Sequence, residues 1–386
     1  MHELLEPITT QAELERVAAT FADASMLAID TEFLRESTYW PKLCLIQIAG
    51  PDLAVAIDPL ADGIDLEPVF ELMREPRILK VFHAARQDLE IFVNLMGTTP
   101  RPLFDTQVAA TVCGFGESIA YDSLVRELTG ANVDKLSRFT NWADRPLTDQ
   151  QIHYALSDVT HLRQVYATLR ERLDASGRET WIADEMALLA DPATFITQPE
   201  DAWKRLKAKS DNPRFLAALR AVAAWREREA QTRDQPRAWV MRDDTLLNVA
   251  AQIPTDVAQL GRCRGLAKGF PDSRHGAAVI EAINQALAEP MERRPKSERR
   301  RREDTPPADL VDLLKVLLRA ASQRHGVAQR LIANAADVER LAAGETAGIA
   351  ALDGWRRELY GADALALLEG RLSLGVVDGQ VVIGRR

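Results

Sequence analysis

Asp30 and Glu32, one residue apart in Met26-Leu-Ala-Ile-Asp-Thr-Glu-Phe33, stand at the polar end of an apolar, β-prone run. On a strand, alternation points both carboxylates to one face. Side by side they repel one another unless a cation lies between them. Oxygen-rich sites of this kind favour Mg²⁺ or Mn²⁺. Two more acids have similarly apolar surroundings. Asp88 lies in Lys80-Val-Phe-His-Ala-Ala-Arg-Gln-Asp-Leu-Glu-Ile-Phe92, near a helix start, and Asp158 in His153-Tyr-Ala-Leu-Ser-Asp-Val-Thr-His-Leu162, on a helix. Asp105 ends a short strand-like run. Taken singly, each acid would be solvated surface. Four carboxylates together can hold two divalent ions roughly 3.5–4 Å apart, the geometry of in-line phosphodiester displacement.

The elements that must position these acids are legible from periodicity and turn residues. Ser25–Phe33, Leu43–Gly50 and Leu53–Pro59 read as strands, the last two joined at Gly50-Pro-Asp52. Leu66–Arg74 and Gln87–Met96 read as helices, the second stopping at Gly97. Ile78–Phe82 and Pro102–Asp105 read as short strands. Thr148 is the expected cap of a long helix reaching about Leu173. From Tyr121 onward the chain is almost wholly helical in pattern, apart from an expected small hairpin turning at Asp378-Gly379. A meander followed by alternating β and α units implies one mixed sheet flanked by helices.

The 386 residues allow two or three domains, and no apolar run approaches the length of a membrane span. Three scattered cysteines fit neither a disulfide framework nor zinc spacing, and the acidic start lacks a signal-peptide pattern, so a cytoplasmic location is expected. Charge is divided unevenly. Residues 1–200 carry 16 Lys and Arg against 32 Asp and Glu, whereas the remainder carries 32 against 25. A polyanion would be repelled by the first half, unless metals intervene, and attracted by the second.

Order and flanks then carry a resemblance. Asp30-Thr-Glu32, His83-Ala-Ala-Arg-Gln-Asp-Leu-Glu90 and Tyr154-Ala-Leu-Ser-Asp158 resemble the three motifs of the DEDD superfamily of 3′→5′ exonucleases. Tyr39-Trp-Pro41, Leu45-Ile-Gln47, Ile57-Asp-Pro-Leu60, Asp105-Thr-Gln107 and Trp142-Ala-Asp-Arg-Pro-Leu-Thr148 are similar to the bacterial ribonuclease D family. The resemblance implies an α/β, RNase H-like exonuclease domain over 1–198, followed by two all-α helical bundles. These would be helicase-and-RNase-D C-terminal domains over 205–288 and, in divergent form, 306–386, joined by a basic linker over 289–305. It also implies that Asp30, Glu32 and Asp158 hold one metal, that Asp30 bridges to a second, and that Asp88 acts mostly through metal-bound water. The substrates implied are 3′ ends of structured RNAs such as tRNA precursors, released as nucleoside 5′-monophosphates, and the enzyme is expected to be a monomer.

The superfamily divides by the residue that precedes its last Asp, and this chain offers both forms, His153 and Tyr154. On a regular helix Tyr154 shares a face with Asp158, four residues on, while His153 lies about 140° away. Tyr154 is therefore expected to orient the water. Candidate substrate contacts are His83, Tyr39 and Trp40, the last two by stacking on terminal bases, and Arg293 and Arg294 in the basic linker.

Between Trp203 and Arg237 ten Lys and Arg face four acids, interleaved with tryptophans, a pattern suited to tracking phosphates. The tryptophans themselves are expected as core anchors. A DNA exonuclease would carry the same acids, since sugar choice rests on contacts to the 2′-OH. A catalytically dead RNA-binding module has no support, because all four acids and Tyr154 are present.

Overall fold

A computed structural model describes residues 2–3, 5–133, 140–208, 210–295 and 306–385. Most of the basic linker, residues 296–305, lies outside the described residues. The first unit runs β1 (His2–Glu3), α1 (Gln11–Phe21), β2 (Met26–Leu34), β3 (Lys42–Ala49), β4 (Leu53–Ile57), α2 (Glu67–Arg74), β5 (Leu79–Phe82), α3 (Arg86–Met96), β6 (Leu103–Asp105), α4 (Thr106–Ala110), α5 (Tyr121–Thr129) and α6 (Asp149–Ser176), followed by α7 (Ala183–Ala190). Six strands form one sheet in the order β1-β4-β3-β2-β5-β6. β2, β3 and β4 form the expected antiparallel meander, and β5 and β6 pair parallel to it.

Strand alternation divides this sheet into two faces with different cores. Leu27 and Ile29 look toward α1, α2 and α3, where Leu14, Phe21, Val69, Leu89 and Phe92 complete one apolar cluster. Ala28 looks toward α6 and packs with Ala155, Leu156, Val159 and Leu162. The β3–β4 turn needs Gly50, because a Cβ there would lie 2.7 Å from the Phe21 ring. Thr148 and Gln151 form a capping box that starts α6 where expected, and the helix runs to Gly177. β1 and α1 are additions to the sequence reading.

The helical remainder contains α8 (Pro213–Thr232), α9 (Arg237–Val240), α10 (Asp243–Gln252), α11 (Val257–Leu260) and α12 (Arg274–Ala288) in one bundle. A second holds α13 (Ala308–His325), α14 (Gln329–Ile332), α15 (Ala335–Ala342), α16 (Gly354–Arg356) and α17 (Ala362–Leu368), then the hairpin β7 (Leu372–Val377) and β8 (Gln380–Arg385). The first bundle closes a core of its own around Phe215, Leu219, Val222, Trp225, Leu246 and Ile283, and Ala202 of the preceding segment joins it. Trp225 is the core anchor expected, but Trp239 is 64% exposed. The second bundle has no separate core, because Val311, Leu314, Leu317 and Tyr360 belong to the same cluster as Leu156 and Val159 of α6. No helix among the described residues is long and apolar enough to cross a membrane.

Candidate active site

β2 places Asp30 and Glu32 on the α6 face, and α6 brings Asp158 to meet them. One carboxylate oxygen from each of the three lies within 4.8 Å of the others. The register between β2 and β3 shifts between Glu32 and Phe33. Such a bulge bends the strand and re-aims its side chains, a common device beside active sites. Asp88 arrives from the other layer. It sits in the first turn of α3, buried, and accepts a 2.5 Å hydrogen bond from the Thr31 hydroxyl. Thr31 is the residue between the two β2 acids, and alternation turns it toward α3.

Electrostatics mark this cluster as incomplete by itself. Burial, and then the negative charges of Asp88, Asp158 and Glu32, push the Asp30 carboxyl well above the usual carboxylate range. Burial pushes Asp88 up to about 7, against the Thr31 hydrogen bond. Gln47 lies directly across the sheet from Asp30, fully buried, and neither polar atom of its amide has a partner among the described residues. Clustered buried acids beside an orphaned amide suit a divalent cation and its water. Hard oxygen donors with no thiol among them match Mg²⁺ or Mn²⁺ chemistry.

Tyr154 faces the acids, and His153 is exposed. The Tyr154 hydroxyl lies beside the Asp158 carboxylate. Burial and the charges of Asp158, Glu32 and Asp30 hold that hydroxyl far above the ordinary tyrosine range. Trp142 packs beside the Tyr154 ring at 6.1 Å between centroids. The Trp142 segment is pinned by Arg145, whose Nη2 donates to Asp58 at 2.7 Å and to the Cys44 carbonyl at 2.7 Å, and whose Nη1 donates to the Trp142 carbonyl.

Several neighbours do work that their sequence context conceals. Asp105 accepts four backbone N–H bonds, from Ala84, Ala85, Gln107 and Val108. It thereby fixes the turn ahead of α3, in which Ala84 adopts a left-handed φ of 56°. A residue other than glycine held there stores strain, which the bonds from Ala84 and Ala85 offset, while those from Gln107 and Val108 cap α4. Tyr121 donates to the Ser157 carbonyl at 3.3 Å and to the Asp158 carbonyl, bracing α6 from behind. No local pattern announced Tyr121. The Asp58–Arg145 pair was visible only as two flanking motifs.

The structure redirects most of the expected substrate contacts. The His83 Nε2 donates to the Ile119 carbonyl at 3.2 Å and its Nδ1 faces the Thr106 hydroxyl at 3.0 Å, so both ring nitrogens are engaged within the fold. Tyr39 is buried, its hydroxyl is bonded to Glu227, and the Arg237 guanidinium covers its ring at 4.5 Å. That ring has no free face for a base. Trp40 is half-buried and meets Tyr39 edge to face. Arg294 donates to the Leu287 and Glu289 carbonyls, closing the end of α12, whereas Arg293 is exposed.

A sheet of this topology with an acidic cluster where β2, α3 and α6 converge fits a 3′–5′ exonuclease. The comparisons agree. A family model described as 3′-5′ exonuclease matches residues 5–174, and one described as HRDC domain matches residues 215–283. Ribonuclease D of Nitrobacter hamburgensis is 50% identical over 98% of this chain and 99% of its own length. Ribonuclease D of Gluconacetobacter diazotrophicus is 49% identical over 96% and 94%. The crystal structure of Escherichia coli RNase D, an exoribonuclease involved in structured RNA processing, superposes with a TM-score of 0.80, at 31% identity, covering 96% of this chain and 99% of that one. The chain belongs to the ribonuclease D family and is a 3′–5′ exoribonuclease.

Proposed function

We propose that this exoribonuclease trims 3′ extensions of structured RNAs such as tRNA precursors, using two divalent ions held by Asp30, Glu32, Asp88 and Asp158. The convergence of three carboxylates within 4.8 Å carries this reading. Asp30, Glu32 and Asp158 form one seat. Asp30 belongs to that seat and lies close enough to Asp88 to feel its charge. Mg²⁺ or Mn²⁺ bound there would supply Lewis-acid activation of the attacking water and neutralise charge on the leaving oxygen. A tyrosine hydroxyl, with a pKa ordinarily about 10 and raised further here by burial, orients the water by hydrogen bond and does not take its proton. In-line attack breaks the terminal P–O3′ bond and leaves the phosphate on the released nucleoside as its 5′-monophosphate.

The remaining units divide the labour. The exonuclease domain holds the chemistry and the bundle matched at 215–283 delivers RNA. The second bundle, whose core is continuous with the exonuclease domain, is a scaffold. The three cysteines are free thiols, in keeping with work in the reducing cytoplasm.

The test is an assay with end-labelled RNA bearing free or blocked 3′ ends, matched DNA, and Mg²⁺, Mn²⁺ or chelator. Stepwise shortening confined to free-ended RNA, abolished by Asp30→Asn and by chelator, is expected. Internal cuts or chelator-resistant cleavage would sink the proposal. In the same assay Tyr154→Phe should lower the rate by about 10²-fold or more, the range for removing a group that positions the reacting water, while His153→Ala leaves it intact.

A further inference from the structure

The first bundle meets the exonuclease domain through a small polar knot. The Tyr39 hydroxyl, in the β2–β3 connection, donates to Glu227 Oε1 at 2.5 Å and accepts from Arg237 Nη2 at 2.8 Å and Gln231 Nε2 at 3.1 Å. Arg237 forks onto Glu227 through Nε and Nη2, both at 2.6 Å. Asp234 Oδ1 accepts the backbone N–H groups of Tyr39 and Trp40 at 3.0 and 2.9 Å. Asp234 has a left-handed φ of 47°, a strained conformation that these two bonds help to hold. Glu227 is fully buried, so its charge is tolerable only because Arg237 and Tyr39 satisfy it.

The knot is mechanically close to the chemistry. Three residues after Glu32, Arg35 forms a two-pronged pair with Glu90, at 2.8 and 2.6 Å, and Glu90 lies two residues after Asp88. Glu90 also acts electrostatically on Arg237. The charges Arg35, Glu90, Arg237 and Glu227 therefore run from the ends of β2 and α3 into α8 and α9. An RNA strand that reaches from the acidic cluster to the first bundle spans this seam, which joins the two units. Trp239, 64% exposed, stands two residues from Arg237 with a face open to a base.

We propose that Glu227, Tyr39 and Arg237 are positioning residues that hold the β2–β3 connection against the first bundle, and that this latch sets how well the enzyme binds long RNA without altering cleavage of the last phosphodiester. The inference rests on the exonuclease site described above, and its failure is separable from failure of that site. The test uses the full chain and two substrates, a tetranucleotide and a tRNA-length RNA with a single-stranded 3′ extension. Glu227→Gln should raise KM for the long RNA roughly ten-fold, the scale of one lost charge-assisted hydrogen bond. Its kcat on both RNAs and its KM for the tetranucleotide should stay at the parent values. The double variant Glu227→Gln/Arg237→Met removes the stranded charge and should regain melting temperature while keeping the long-RNA defect. Equal losses on both substrates, a defect that disappears with the restored melting temperature, or an unchanged KM for long RNA would each overturn the latch. Loss of all cleavage in the parent enzyme would instead indict the metal site.

Discussion

The two helical bundles dock on one exonuclease domain by opposite physics. The second is fused to it. Leu314 and Leu317 share a core with α6, Trp181 and Trp355 stack at 4.6 Å with planes 5° apart, and the Ala328 N–H bonds the Thr111 carbonyl at 2.8 Å. The first keeps a core to itself and touches the exonuclease domain at the Tyr39 seam through hydrogen bonds and the Arg237 guanidinium over the Tyr39 ring. Apolar fusion is nondirectional and roughly proportional to area, so it builds one cooperative unit. A polar seam is directional, so a few atoms decide it, and it answers to pH and salt. The bundle assigned to RNA delivery is the one attached adjustably.

The sharpest way to break this comparison is Leu314→Ala, at a fully buried position. It should cost about 2–5 kcal/mol, and because the core is shared, melting followed at the exonuclease domain should shift with it. A melt in which the second bundle unfolds alone would show that the cores are separate.

Acid should act on the other seam. Burial pushes Glu227 up, yet the hydrogen bonds from Arg237 and Tyr39 prevail and hold its carboxyl below the ordinary range. A depressed folded pKa contributes stability that is present above the unfolded value of about 4.3 and is lost as pH falls through the folded one. Between neutrality and about pH 5 the latch should hold. Below the unfolded value, amide hydrogen exchange in residues 38–40 should rise before exchange at the Trp181–Trp355 seam does, and simultaneous loss of both would erase the distinction.

The smallest effect on stability belongs to Trp239→Ala. With the ring mostly exposed, the melt should move within about 0.5 kcal/mol, while long RNA binds several-fold more weakly through one lost stacking contact. A large stability loss would mean that Trp239 anchors the bundle.

Local chemistry made much of this legible. The β2 acids stood out because two carboxylates on one strand face need a partner, and the α6 start stood out because Thr148 and Gln151 are close enough in sequence to cap together. The pattern Leu14, Val17, Phe21 spells α1 equally well, but short polar spacers hid it in an acidic leader. Asp105 carries the same side chain as Asp30, Asp88 and Asp158, yet its carboxylate is spent on four amides. Tyr39 offered an aromatic ring beside a catalytic motif, which suits stacking on a base until Arg237 is seen covering it.

The sequence by itself determined the inventory of acids, their order, the elements that bear them, and the split between an acidic half and a basic half. Those properties follow from side-chain chemistry and from periods of two and 3.6 residues. Tertiary structure alone decided which acid binds amides and which face each other, that Gln47 lies orphaned beside Asp30, and that one bundle is fused while the other is latched. Each of these depends on residues far apart in the chain, such as Tyr39 and Glu227, which only the folded packing brings within hydrogen-bond reach.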